Sequence, residues 1–184
     1  MKYWSKSTLS IYKYLSTMSN GIDKIIIDNS KNSNSVMLQK SQTTHCQATK
    51  ILDLIDRKRK IVNLKVIVDD VVSRLNKTDR RIITLVFFDG VKSEVASQLM
   101  GISLRTFFRR KVKALQQFAL ILEAIGYDEE FFEQEYFNEK WFMSVYDNCV
   151  TREANADEQL NKYLVKCMFS EISKVSAKFN TYLV

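Results

Sequence analysis

The chain has 184 residues, 46% of them apolar, with no proline and only four glycines. It can therefore bury a core, and with few helix breakers it favours long helices joined by few turns. The formal net charge is +7 and the isoelectric point is about 9.2. That balance points to an anionic partner, while a charge total alone does not choose nucleic acid over membrane.

Cys46, Cys149 and Cys167 are odd in number and far apart. They draw neither a disulfide framework nor a Cys-x-x-Cys metal pair, so free thiols in a reducing compartment are expected. No apolar run approaches the ~18 residues of a membrane span. The start, Met1 to Lys6, leads into a polar, Ser-rich stretch without a signal-peptide core. A soluble cytoplasmic protein without membrane contact is expected.

The charge is segregated. Residues 1–42 hold six Lys against two acids, and residues 43–126 hold sixteen Lys/Arg against eight acids. Residues 127–184 reverse the balance, with six Lys/Arg against eleven acids. A basic body with an acidic, aromatic C-terminal part suits a nucleic-acid binder that carries a separate docking or structural segment.

Residues 7–28 place Ile11, Leu15, Met18, Ile22 and Ile25 at alternating steps of four and three, a helical stripe. Residues 29–36 read as a polar loop, because Asn and Ser side chains compete for backbone bonds. A second helix is expected from about Thr44 to Leu75, with Ile51, Leu52, Ile55, Val62 and Val66 among its apolar residues. Its basic run, Arg57 to Lys60, is either a solvated turn or a phosphate-contacting patch. The β-branched run Val66-Ile67-Val68 permits a strand, but no turn signal or partner strand accompanies it, so helix is preferred. Residues 1–74 thus read as an N-terminal helical hairpin.

Residues 75–126 carry the chemistry. Asn76 is a good N-cap for a helix whose apolar face is Ile82, Ile83, Leu85, Val86 and Phe88, and Asp89-Gly90 stops it. A short amphipathic helix follows at 91–100, then Gly101-Ile102-Ser103. Gly101 can take the positive φ of a tight turn, Ile102 can plug the core, and Ser103 can cap the next helix. Ser97 is small where two crossing helices approach. This order of parts is what a helix-turn-helix requires.

In the helix that follows, 104–118, Phe107, Ala114, Leu115 and Phe118 share one side. Arg105, Thr106, Arg109 and Lys113 lie on the other, with Arg110 beside them. Arginine's planar fork can bond guanine O6 and N7 together, and lysines and the remaining arginines can hold phosphates. The candidate DNA contacts are Arg105, Thr106, Arg109, Arg110 and Lys113, with Ser103 and Lys92 flanking. For Phe107 and Phe108, core packing is favoured over base stacking. The helix is expected to continue to Ile125 and to end at Gly126.

Residues 75–118 resemble region 4 of bacterial σ70-type factors, whose helix-turn-helix reads the −35 promoter element. The matching residues are Leu75, Arg80-Arg81-Ile82, Asp89-Gly90-Val91, Glu94-Val95, Gly101-Ile102-Ser103, Thr106 and Ala114-Leu115. Residues 105–111 look closer to small phage-type regulators such as the ArpU group, which carry a Thr followed by two aromatics and basic residues. Lys111 departs from the pattern, which has an apolar residue there; its stem can be buried while its ammonium stays out. Residues 1–74 show no match to the promoter-melting region 2. The resemblance therefore implies a region-4-only bacterial or phage-type regulator, with RNA polymerase as a further partner that region 4 contacts in that family.

Residues 127–142 are acidic and unusually aromatic, fitting equally a helix packed on the basic domain and a docking surface. From about Ala154, the residues Leu160, Leu164, Cys167, Met168, Val175 and Phe179 form another stripe, interrupted by Glu171. It can close the core or form a homodimer seam. Residues 127–184 are taken as a C-terminal helical segment.

The sequence thus describes an all-α protein with an N-terminal hairpin, a σ70 region 4-like helix-turn-helix and C-terminal helices. Its expected function is sequence-specific binding of double-stranded DNA in transcription regulation. No cofactor or metal is expected, and no nucleophile–base pair, phosphate loop or ligand spacing marks an enzyme. The alternative is a helical protein that docks on RNA polymerase or a σ factor without reading bases.

Overall fold

The computed structural model describes residues 3–36 and 44–151, with side chains outside 29–36 and 44–47. Among these residues every regular element is helical. Helix α1 is Tyr3–Val36, α2 Thr44–Arg74, α3 Lys77–Ile83, α4 Ser93–Leu99, α5 Leu104–Ala124, α6 Glu129–Tyr136 and α7 Lys140–Thr151. A π-helical turn, Thr84–Phe88, continues α3. Among the described residues no helix is long and apolar enough to cross a membrane. The C-terminal stripe from Leu160 to Phe179 lies outside them.

Two compact units divide the chain. One takes the described residues of Met1–Lys13 and Leu64–Ala156, the other those of Tyr14–Asn63. In the latter, α1 buries Leu15, Met18 and Ile22, and α2 buries Leu54 and Ile61. The Lys58 ammonium meets Asp23 at 2.6 Å. Arg59 donates to Asp56 through Nε and Nη2, and Lys60 lies 4.0 Å from the same carboxylate. The basic run is therefore largely paired with carboxylates of its own helices.

The loop expected at 29–36 is not there, since α1 runs on to Val36. Asn and Ser cost only a few tenths of a kcal/mol each in a helix, and no proline or glycine follows Gly21 within it to break the ladder. The β-branched run 66–72 is helical as expected, with Ile67, Val68, Val71 and Val72 buried. Leu52, Ile55, Val62 and Val66 lie on the exposed side of α2 instead.

In the other unit, α3 and α4 pack on α5. Three features hold this unit together. The Arg80 guanidinium reaches the end of α2, donating from Nε to Val72 O at 3.0 Å and from Nη2 to Ser73 O and Leu75 O. It thereby satisfies carbonyls that a helix end leaves without partners. Tyr12 donates its hydroxyl to Asp69 Oδ1 at 2.5 Å and stacks on Phe88 with centroids 3.8 Å apart. Burial, then the hydrogen bond and charge of Asp69, push the Tyr12 phenol up to about 12.

The third feature is aromatic. Trp4 stacks on Phe132 and Phe142 at 5.7 and 5.9 Å and lies 4.2 Å from Tyr146. Phe132 and Phe142 stack on each other at 5.8 Å. Trp141 donates its indole N–H to the buried Glu139 at 2.8 Å. The acidic aromatic segment is thus split into α6 and α7, and most of its rings are turned inward against α1. Its carboxylates are exposed except Glu135, which is half-buried, and Glu139. Phe137, 62% exposed, is the ring left in solvent.

Candidate nucleic-acid interface

The interface is assembled from the end of α3 onward. Asn76 caps α3, its side chain accepting from Asp79 N at 2.9 Å and donating to the Asp79 carboxylate at 2.5 Å. Ile82 and Ile83 are fully buried. Residues 84–88 then widen into the π turn, closed by Asp89 N–H donating to Thr84 O at 2.9 Å. Gly90, at φ 66°, takes the chain out of the helix.

Helix α4 is short, with Ala96 and Ser97 as its buried residues. The Ser97 hydroxyl donates to Glu94 O at 2.7 Å, so a small polar side chain is satisfied where the helices approach. Gly101 sits at φ 64°, the left-handed conformation the turn needs. Ile102 N–H returns to Ser97 O at 3.1 Å, and the Ile102 side chain is half-buried. Ser103 then caps α5: its hydroxyl accepts from Thr106 N at 3.3 Å and donates to Thr106 Oγ1 at 2.9 Å.

Helix α5 has two faces. Phe107, Ala114, Leu115, Phe118 and Leu122 are buried, as the spacing implies. Arg105, Arg109, Arg110 and Lys113 are all exposed. Residues 105, 109 and 113 recur at one-turn steps, about 6 Å apart along the axis, and so form a cationic ridge. Thr106 is half-buried with its hydroxyl engaged by Ser103. Lys92 is exposed at the N-cap position of α4, without a side-chain capping bond. Lys111 is half-buried, its ammonium 5.6 Å from the Phe87 ring centre, so the departure from the σ pattern is absorbed by a cation over an aromatic face.

One expectation fails. Phe107 is fully buried, but Phe108 is 46% exposed and packs edge-on against Phe107 at 6.3 Å. The two are adjacent, so a 100° step carries the second ring off the buried arc. Val112 and Gln116 are also exposed on the arc of Arg105 and Arg109. Both continue the one-turn spacing, but their uncharged side chains carry no signal of a DNA contact in the sequence.

Residues 65–118 match the family model described as Sigma-70, region 4. No curated protein and no solved structure matches the chain. The matched stretch begins in the last turns of α2, where Arg80 is anchored, and ends at the buried Phe118 of α5. It points to a DNA-binding, transcription-related role, and residues 65–118 form a σ70 region 4-like helix-turn-helix domain.

Proposed function

We propose that the protein is a sequence-specific regulator of transcription that binds double-stranded DNA with α5 in the major groove. The observation that carries this reading is the exposed cationic ridge of α5, set directly after a capped helix-turn-helix turn. Arg105 and Arg109 read base edges, Arg110, Lys113 and Lys92 hold phosphates, and Ser103 and Thr106 fix the helix N-terminus against the backbone. Residues 75–126 are the reading domain. The protein acts without catalysis, in the cytoplasm of a bacterial or phage-infected cell, the phage likeness resting on residues 105–111.

The test is binding to duplex DNA as a function of salt. Each neutralised phosphate contributes about −0.9 to the slope of log K against log salt. A steep slope that flattens by about one unit on Lys113→Ala supports the reading. An affinity indifferent to salt contradicts it.

A second reading is favoured by one observation. Val95 and Leu99 on α4, with Leu104 and Phe108 on α5, expose apolar surface. Such surface suits a protein partner, and in this reading the protein docks on RNA polymerase or a σ factor. The acidic aromatic segment no longer supports that docking, since most of its rings are buried. Co-purification of polymerase that survives loss of Arg105, Arg109 and Arg110 would favour it over DNA reading.

A further inference from the structure

The outer face of α5 is not purely cationic. Phe108 is 46% exposed and Val112 is 49% exposed. At about 100° per residue, Val112 falls within an arc of about 60° that also holds Arg105, Arg109 and Gln116, and Phe108 borders that arc. Phe108 stands three residues after Arg105, and Val112 three after Arg109, so each apolar side chain neighbours an arginine one turn away. The Phe108 ring is also held in place, packed edge-on against the fully buried Phe107 with centroids 6.3 Å apart.

A surface that only held phosphates would have no use for these two side chains, since phosphates are met by cations and hydrogen-bond donors. The major groove presents donors and acceptors from every base pair, and one apolar group, the C5-methyl of thymine. Phenylalanine and small apolar side chains are suited to it. Stacking on a base needs an unstacked strand, and apolar wedges enter duplexes from the minor groove. A helix lying in the major groove therefore offers Phe108 and Val112 one apolar counterpart.

We propose that Phe108 and Val112 select thymine by contact with its C5-methyl group, next to guanines bonded by Arg105 and Arg109. The inference rests on the major-groove placement of α5 proposed above and deepens it: the preferred duplex carries thymine beside guanine, and the methyl itself is read.

The test starts from the motif that the wild-type chain selects from random duplexes. Each thymine in it is replaced singly by deoxyuridine, which keeps the base pair and loses only the methyl. Binding of the full chain, followed by fluorescence anisotropy, should weaken about threefold to fivefold at one or two positions, the worth of one buried methyl group, and stay unchanged at the others. Phe108→Ala and Val112→Ala should each weaken the unmodified duplex and be indifferent to deoxyuridine at the position they contact. Both side chains are exposed, and circular dichroism checks that the variants fold. A motif without thymine, or a wild type indifferent to deoxyuridine everywhere while Arg109→Ala still relaxes the motif, overturns methyl contact and leaves base reading by the arginines standing. Deoxyuridine effects that persist in both variants overturn the assignment to these two side chains. Variants that bind DNA as the wild type does but no longer co-purify polymerase give Phe108 to a protein partner and overturn it too. Failure of the wild type to select any motif overturns this inference together with the DNA reading beneath it.

Discussion

Replacing Trp4 by alanine tests whether the N-terminal turn of α1 is part of the core that surrounds the helix-turn-helix. The indole is 6% exposed and touches the rings of Phe132, Phe142 and Tyr146. Removing a buried tryptophan costs about 3–5 kcal/mol. Against a total stability of about 5–15 kcal/mol, the loss should lower the urea midpoint sharply. Trp4→Phe keeps a ring but drops the N–H that lacks an acceptor. Relief of about 1–3 kcal/mol of desolvation cost should offset the smaller ring, leaving a change within about 1 kcal/mol. Phe137→Ala, at the exposed ring, should change stability by less than about 0.5 kcal/mol. Urea titrations followed by far-UV circular dichroism measure all three. A Trp4→Ala loss below about 1 kcal/mol, or a Trp4→Phe loss as large as that of Trp4→Ala, would refute the reasoning.

Arg80→Ala should cost about 1–3 kcal/mol by releasing the carbonyls at the end of α2, and Arg80→Lys should recover little because an ammonium lacks the fork; urea midpoints decide. Gly101→Ala should cost about 1–2 kcal/mol in a thermal or urea titration. The cause is the positive φ alone, because nothing lies within 4 Å of an added Cβ. Tyr12 is neutral in the fold up to about 12 but ionises near 10 when unfolded, so its contribution to stability is fully present below pH 10 and is lost as pH rises from 10 toward 12. Tyr12→Phe should therefore flatten the fall in stability over that window, and equal slopes for the two proteins would contradict the raised Tyr12 phenol. Arg109→Ala should weaken specific DNA by about 1–3 kcal/mol and relax preference at one base pair, measured by fluorescence anisotropy on a set of singly changed duplexes.

The site was more legible in the sequence than the fold around it. Turn glycines, caps and one-turn spacing are local signals, so Gly101, Ser103, Phe107 and the Arg105–Arg109–Lys113 ridge could be read directly. The loop expected at 29–36 failed because weak helix formers lower propensity without breaking a helix that nothing interrupts. Arg80 belongs to the family pattern, but its contact with the end of α2 depends on how two helices meet. The same holds for Trp4: it lies more than a hundred residues from Phe132 and Phe142, and no periodicity links them. Phe108 is expected to pack inward with Phe107, whereas the 100° helical step separates the two rings.

The most direct measurement is selection of bound duplexes from random DNA at physiological salt, with the wild-type chain and an Arg105→Ala/Arg109→Ala/Arg110→Ala variant in parallel. The account predicts a recurrent motif with the wild type that disappears with the variant, while circular dichroism shows the variant folded. Failure of the wild type to enrich any motif, or the same motif recovered with the folded variant, would contradict base reading by α5.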